Sequence, residues 1–393
     1  MNTQQPTIVI LGAGRIGRGF VADLFAAAGY RLVLVDQSAE LVAALRAAGR
    51  YTVVCAENAE RRHDHVIAGY DAYTTVQHAE ITRAVATADL VAVAVFPADF
   101  GAVAHSLLPG LTQRREERPD ATLDILLCAN LTHAAAHFRA ALDAAAPEEM
   151  QSYLDGRVGL VDTLVMRMVA DPPAAERARE PLLVWTNGLA QFPVDGRAFR
   201  GPLPDVPGLR PVNDMRAEET RKLYTYNMCH AALAYLGSLY GHELTVDCLA
   251  DPRARGEAEG ALEEVSRALQ AEYGFSAEEM ARWNAGVIAQ TDNPTLGDRV
   301  ARHGADPRRK VKRSDRLVGP ALLARAHGIL PIHLVRAIAA AFRFRNPDDP
   351  GAVYVQEWMA AVGLPATVVE MCELSPAEDD LKMMICQAYE APA

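Results

Sequence analysis

Thr7–Asp36 reads TIVILGAGRIGRGFVADLFAAAGYRLVLVD. Thr7–Leu11 is apolar and β-branched, which predicts a buried strand. Gly12, Gly14 and Gly17 follow as GxGxxG and lead into a helical pattern over Phe20–Ala28, with Gly29 as its stop signal. Arg31–Val35 is the next strand, and Asp36 closes it. Strand, glycine turn, helix, strand and acid stand in the order that a dinucleotide demands. The first Gly permits a tight turn, the second lets the backbone approach a pyrophosphate, and the third lets helix and strand pack closely. Arg15 and Ile16 fill the positions between at the start of the helix, whose free N–H groups suit phosphate. A carboxylate at Asp36 suits ribose hydroxyls and repels a 2′-phosphate, so the cofactor expected is NAD rather than NADP.

The pattern continues outward. Asp89–Val95 and Leu123–Leu127 are further apolar runs separated by helical stretches, as in a parallel sheet covered on both faces. A β-rich stretch spans about 158–194, and the Pro- and Gly-rich 201–211 reads as a joint. Residues 214–290 and 316–343 are helical in pattern, with a turn at Arg345–Pro350 and a further helix beyond. We therefore expect a doubly wound α/β domain over 1–200 and a mostly α-helical domain over 201–393. The cleft between two such domains is the default place for a substrate.

Composition excludes several classes. The chain has 393 residues, half of them hydrophobic, and a net charge of −11, which opposes indiscriminate nucleic-acid binding. The opening MNTQQPT lacks the basic-then-apolar pattern of a leader, and no apolar run suits a membrane helix. The six cysteines are scattered without a CxxC pair, so neither a disulfide framework nor a zinc motif is expected, and the chain reads as cytoplasmic. His133 and His137 lack a third ligand and read as a helix-surface pair.

Lys222–His230 reads KLYTYNMCH. On an ideal helix Asn227 lies about 140° from Lys222, His230 about 80° and Glu219 about 60°. The four can share one broad face. A desolvated Lys is a general base, an Asn amide donates to an alkoxide or carbonyl oxygen, a His orients substrate, and a Glu passes protons or tunes the Lys. An amphipathic helix with a solvated face has the same spacing. Residues 299–316 hold eight basic and two acidic side chains, a local patch that suits a phosphate monoester or a solvated loop.

GAGRIGRGF and K-x4-N-x2-H together resemble the mannitol-1-phosphate 5-dehydrogenases and the wider family of polyol-specific long-chain dehydrogenases. Weaker similarity covers VGLVDTLV, FRGPLPDVPGL, DNPTLGDRV, RRKVKRSDRL and AIAAAFRFRNPDDP, so it spans about residues 7 to 350. The resemblance implies a Rossmann-type N-terminal domain, a helical C-terminal domain, NAD, no metal, and compatibility with a monomer. It implies Lys222 as base, Asn227 and His230 on the substrate oxygens, and Asn130 as a second oxyanion-binding Asn. Arg302 and Lys310, with the adjacent Arg309, match positions that hold the distal hydroxyls or phosphate. Phe96, after the Asp89–Val95 strand, falls at a cofactor-binding position.

Three departures bear on the substrate. Ala129 stands where the family has an acid, Met166 where it has an Asp in the substrate pocket, and Phe96 where a small polar run ends in Gly. The reaction expected is interconversion of a sugar-alcohol phosphate and a ketose phosphate, mannitol 1-phosphate and fructose 6-phosphate first. An unphosphorylated polyol or keto sugar acid is the second reading. A catalytically diverged NAD-binding sensor is the third, and intact Lys222, Asn227 and His230 argue against it.

Overall fold

The computed structural model describes residues 5–392. Residues 1–4 of the leader reading lie outside them. Twelve strands follow in chain order: β1 (Thr7–Leu11), β2 (Arg31–Asp36), β3 (Arg50–Ala56), β4 (Arg62–Ala68), β5 (Asp71–Thr74), β6 (Leu90–Val93), β7 (Leu123–Leu127), β8 (Val158–Asp162), β9 (Val169–Ala170), β10 (Val184–Thr186), β11 (Phe192–Asp195) and β12 (Leu209–Val212).

Six of them form one parallel sheet in the order β5-β2-β1-β6-β7-β8. Counting only its own strands, that order is 3-2-1-4-5-6, and the chain reverses direction across the sheet between β1 and β6, where open α/β sheets take their ligands. Alternate residues supply opposite faces. Ile8, Ile10, Leu32 and Leu34 join one apolar cluster with Phe20 and Phe25 of the first helix and Val42 and Leu45 of Ala39–Ala48. Val9, Leu11, Val33 and Val35 join another with Ile81 and Val85, Leu107 and Leu111, and Phe138 and Leu142 of the helices His78–Thr87, Phe100–Glu117 and Ala134–Ala145. Burial on both sides explains the uninterrupted apolar runs.

A second sheet, β4-β3-β10-β9, was not foreseen from the sequence. β4 (RHDHVIA) is exposed at every residue but Ile67, so it carries no alternation to read. Its antiparallel partner β3 packs Tyr51, Val53 and Cys55 into the first core cluster.

The chain divides into compact units at Glu218/Glu219. The sequence reading put the joint at 200/201. The first unit runs further because β12 pairs in parallel with β11, which ties the Pro/Gly-rich segment to the strands before it. The second unit is built from helices around Met228–Leu239, which is buried from Ala231 through Gly237 and packs against Pro252–Tyr273, Val300–Gly304 and Ile332–Arg343. Its small residues allow that enclosure: a Cβ on Gly237 would stand 2.0 Å from Cys248 Sγ.

Candidate active site

The three glycines of the first loop have three distinct surroundings. Gly12 has φ +96°, and a Cβ there would lie 2.4 Å from the Ala94 carbonyl oxygen. A Cβ on Gly17 would lie 1.9 Å from the Gly12 oxygen, so helix and loop touch there. A Cβ on Gly14 would meet nothing within 4 Å. The first is required by the turn and the third by packing, whereas the second faces open space, as a pyrophosphate-binding position should. The helix begins at Arg15, and Arg18 N–H bonds to the Gly14 carbonyl. The amides of Arg15, Ile16 and Gly17 precede that bond and suit phosphate oxygens. Ile16 packs on the core, and the Arg15 guanidinium pairs with Asp171. Asp36 ends β2, half-buried, and accepts from Ser38 N–H at 2.9 Å. Phe96 is 80% exposed after β6, and Asn130 is exposed after β7. All of these stand beyond the carboxyl ends of parallel strands. Ala129 and Met166, the two departures from acidic residues, are buried.

In the second unit Lys222 ends one α-helical segment, and Leu223–Asn227 is a π turn before helix Met228–Leu239 resumes. Met228 N–H bonds to the Leu223 carbonyl, five residues back. The extra residue corrects the ideal-helix angles. Beyond it each side chain takes the place its predecessor would have held, so Asn227 comes to about 40° from Lys222 and His230 to about 20° on the other side. The face of Glu219, Lys222, Asn227 and His230 that spanned about 140° narrows to roughly 80°.

Lys222 is largely enclosed. Burial pushes its ammonium down to about 8; Arg316 adds to the shift, and Glu219 opposes it. Glu219 is itself buried. The His230 ring lies 4.8 Å from the His303 ring, and its Nε2 has no hydrogen-bond partner among the described residues. Burial, reinforced by His303, pushes His230 down to about 3, so it is a neutral imidazole at physiological pH. A substrate hydroxyl would relieve the cost of that orphaned nitrogen. His303 also stands 3.3 Å from Asp298 and accepts from Lys310 Nζ at its carbonyl, at 2.5 Å. Burial pushes Lys310 down to about 7, with Arg316 and Arg309 adding and Asp306 and Asp315 opposing.

The rest of the basic segment is mostly committed to carboxylates. Arg302 pairs with Asp298 at 2.7 Å, and Arg309 pairs with Asp306 and Asp315, each at 3.1 Å. Arg313 pairs with Glu378 at 2.6 Å, Lys312 lies 3.5 Å from Glu373, and Arg308 stacks over Tyr354. Sequence reasoning missed His303, Asp298 and Arg316 as members of this cluster. Arg316 acts electrostatically on Lys222, His230 and Lys310 alike. Only the density of charge in 299–316 pointed to it.

Among the described residues no helix is long and apolar enough to cross a membrane. The profile of the mannitol dehydrogenase Rossmann domain matches residues 6–208, and that of the mannitol dehydrogenase C-terminal domain matches 214–371. Among solved structures, the Pseudomonas fluorescens mannitol 2-dehydrogenase, in a ternary complex with NAD and D-mannitol, is similar with TM-score 0.76 and 16% identity over 98% of this chain and 92% of that one. A D-sorbitol dehydrogenase in substrate-free form is similar with TM-score 0.82 and 17% identity over 98% and 93%.

Proposed function

Because the chain belongs to the mannitol dehydrogenase family, we propose that it is an NAD-dependent polyol dehydrogenase with Lys222 as its general base, and that its substrate is a sugar-alcohol phosphate, mannitol 1-phosphate first, oxidised to the ketose phosphate. The observation that carries the reaction type is Lys222 itself, an enclosed lysine lowered to about 8 on a π turn that aligns it with Asn227 and His230.

NAD, when bound, supplies the hydride acceptor. The open space at Gly14, the amides of Arg15 to Gly17 and the Asp36 carboxylate fit its pyrophosphate and ribose. Lys222 in its neutral form takes the proton of the reacting hydroxyl. The Asn227 amide donates to the oxygen as it gains charge, as does Asn130 in our assignment. His230, neutral and with a free ring nitrogen, orients a neighbouring hydroxyl. Glu219 raises the proton affinity of Lys222 and offers its proton a way onward. Lys310, Arg302 and Arg309 address the distal end of the substrate. A cytoplasmic setting suits the six unpaired thiols.

One observation favours an unphosphorylated polyol instead: Arg302 and Arg309 already have carboxylate partners. The mannitol 2-dehydrogenase structure contains D-mannitol itself. The test is NADH formation across a panel of polyols, polyol phosphates and aldonates. Turnover confined to phosphorylated polyols supports the proposal, and preference for free mannitol overturns its phosphate part. NAD binding without turnover on any member would make the chain a sensor.

A further inference from the structure

No zinc spacing runs along the chain, yet the fold of the first unit gathers three ligand-bearing side chains, none of them among the residues assigned to the glycine loop or the Lys222 cluster. Asp23 comes from the first helix, Cys55 from β3 and His65 from β4. In the antiparallel pair β3-β4, Val53 stands opposite His65. Cys55, two residues from Val53, therefore shares the His65 face of the hairpin. His65 Nδ1 lies 2.8 Å from Asp23 Oδ1 and 3.9 Å from Cys55 Sγ, and the three atoms all lie within 4.8 Å of one another. Asp23 and Cys55 are buried, and the His65 side chain is 49% exposed, so the group opens to solvent on one side.

The geometry separates two uses of such a trio. In a nucleophilic relay the thiol and the carboxylate engage opposite ring nitrogens of the imidazole. Here both address Nδ1, so three lone-pair atoms converge on one point. Thiolate, imidazole and carboxylate are zinc ligands, and a tetrahedral site with Zn–N near 2.0 Å and Zn–S near 2.3 Å spaces its ligand atoms roughly 3.3–3.6 Å apart. The 2.8 and 3.9 Å separations each need to change by about half an ångström. The surroundings restrain the ligands. The buried Arg167 guanidinium pairs with Asp23 Oδ2, leaving Oδ1 toward His65, and is anchored on the carbonyls of Gly19 and Leu189. Thr186 Oγ1 stands 3.7 Å from Cys55 Sγ. Such outer contacts orient metal ligands. With Cys55 ionised, Zn2+, two anions and Arg167 leave a net charge of +1, a smaller burden than the free dication.

We propose that Asp23, Cys55 and His65 form a binding site for a thiophilic divalent cation, Zn2+ being the best match, with the fourth position open to solvent. Binding releases the thiol proton of Cys55 to solvent as Sγ joins the metal, and the proton that His65 Nδ1 donates to Asp23 Oδ1 passes to Nε2, which frees the Nδ1 lone pair for the metal. The site would clamp the β3-β4 hairpin to the first helix.

The test uses Co2+ as a spectroscopic stand-in on the full-length chain after treatment with chelator. We expect one equivalent to produce a thiolate-to-metal charge-transfer band that Zn2+ displaces. Cys55→Ser should abolish the band. His65→Ala, a change at a half-exposed position, should weaken Co2+ binding about tenfold or more, with the melting temperature of the metal-free variant measured alongside. Absence of the band in the wild-type chain, its survival in Cys55→Ser, or equal Co2+ affinity in His65→Ala would each overturn the proposal.

Discussion

The indole N–H of Trp283 donates to Thr225 Oγ1 at 2.8 Å, and that hydroxyl donates to the Arg221 carbonyl at 2.6 Å. The second bond engages a carbonyl four residues back, where an α-helix would place the backbone N–H of Thr225. Thr225 lies inside the segment that slips to five-residue bonding between Lys222 and Asn227. Trp283 also lies 3.9 Å beneath the Arg221 guanidinium, so one ring contacts both the helix before the turn and the turn's middle residue. If the turn relaxed to α, Asn227 would swing about 100° away from Lys222. Trp283→Phe keeps the ring and removes the donor, and Thr225→Val removes the hydroxyl. Each should lower kcat about 2- to 10-fold, the worth of one neutral hydrogen bond. The dissociation constant for NAD, measured by fluorescence titration, should not change; if it alone changes, the turn is not what positions Asn227.

Lys222→Ala should lower kcat by roughly 10²–10⁴-fold with NAD affinity preserved. Wild-type kcat/KM should rise with pH through about 8, because only the neutral amine accepts a proton. Arg316 adds to the depression of Lys222, so Arg316→Leu should move this limb to higher pH. Activity at neutral pH should drop by up to about tenfold, the equivalent of one pKa unit, and recover in alkaline buffer. A uniform loss at every pH would show that Arg316 does not tune the base.

How legible these features were depends on what each leaves in local sequence. The β1-loop-β2 unit was readable because both of its strands are buried on two faces and its turn needs glycine at fixed places. The β3-β4 hairpin was not, since β4 is nearly all exposed. The π turn was invisible because the 3.6-residue period assumes what the turn breaks. His303 and Asp298 are single residues whose importance arises only when His230 packs beside them. The partners of the basic segment were not legible: counting charges along 299–316 cannot register Glu373 and Glu378, which reach it from far along the chain.

The glycine loop allows fold and cofactor binding to be separated. Gly14→Ala adds a methyl that no atom of the described residues lies within 4 Å of, so the melting temperature should hold while NAD affinity falls tenfold or more (on the order of one lost backbone–phosphate contact). Gly17→Ala drives a methyl into the Gly12 carbonyl, so it should destabilise by about 1–3 kcal/mol, read as a fall in melting temperature. Equal melting temperatures for the two variants would refute the distinction. Asp36→Ser should narrow a preference for NAD over NADP that we expect to be about tenfold or more in kcat/KM.

The phosphate assignment can be tested through the opposite pH behaviour of two lysines. Lys310 is lowered to about 7, so its charge is present below that pH and fades as pH rises through it. Lys222, lowered to about 8, becomes useful as pH rises through its own value. A substrate phosphate is already past its second ionisation near 6. For mannitol 1-phosphate, KM should therefore climb from pH 6.5 to 8.5 (roughly half a unit outside the values of Lys310 and Lys222) while kcat climbs too, giving a narrow optimum in kcat/KM. Free mannitol should show the rising limb alone. Lys310→Ala should abolish the climb in KM and raise it about 10- to 150-fold at low pH, the worth of a charged hydrogen bond. Arg302→Ala should do less, because Arg302 is half exposed and shared with Asp298. Added salt should raise the wild-type KM for the phosphorylated substrate only. The deciding quantity is the ratio of kcat/KM for mannitol 1-phosphate to that for mannitol. A ratio below one in the wild type, or one unaltered by Lys310→Ala, assigns the enzyme to free polyols or sugar acids and leaves Lys310 as a buried support for the His303 carbonyl.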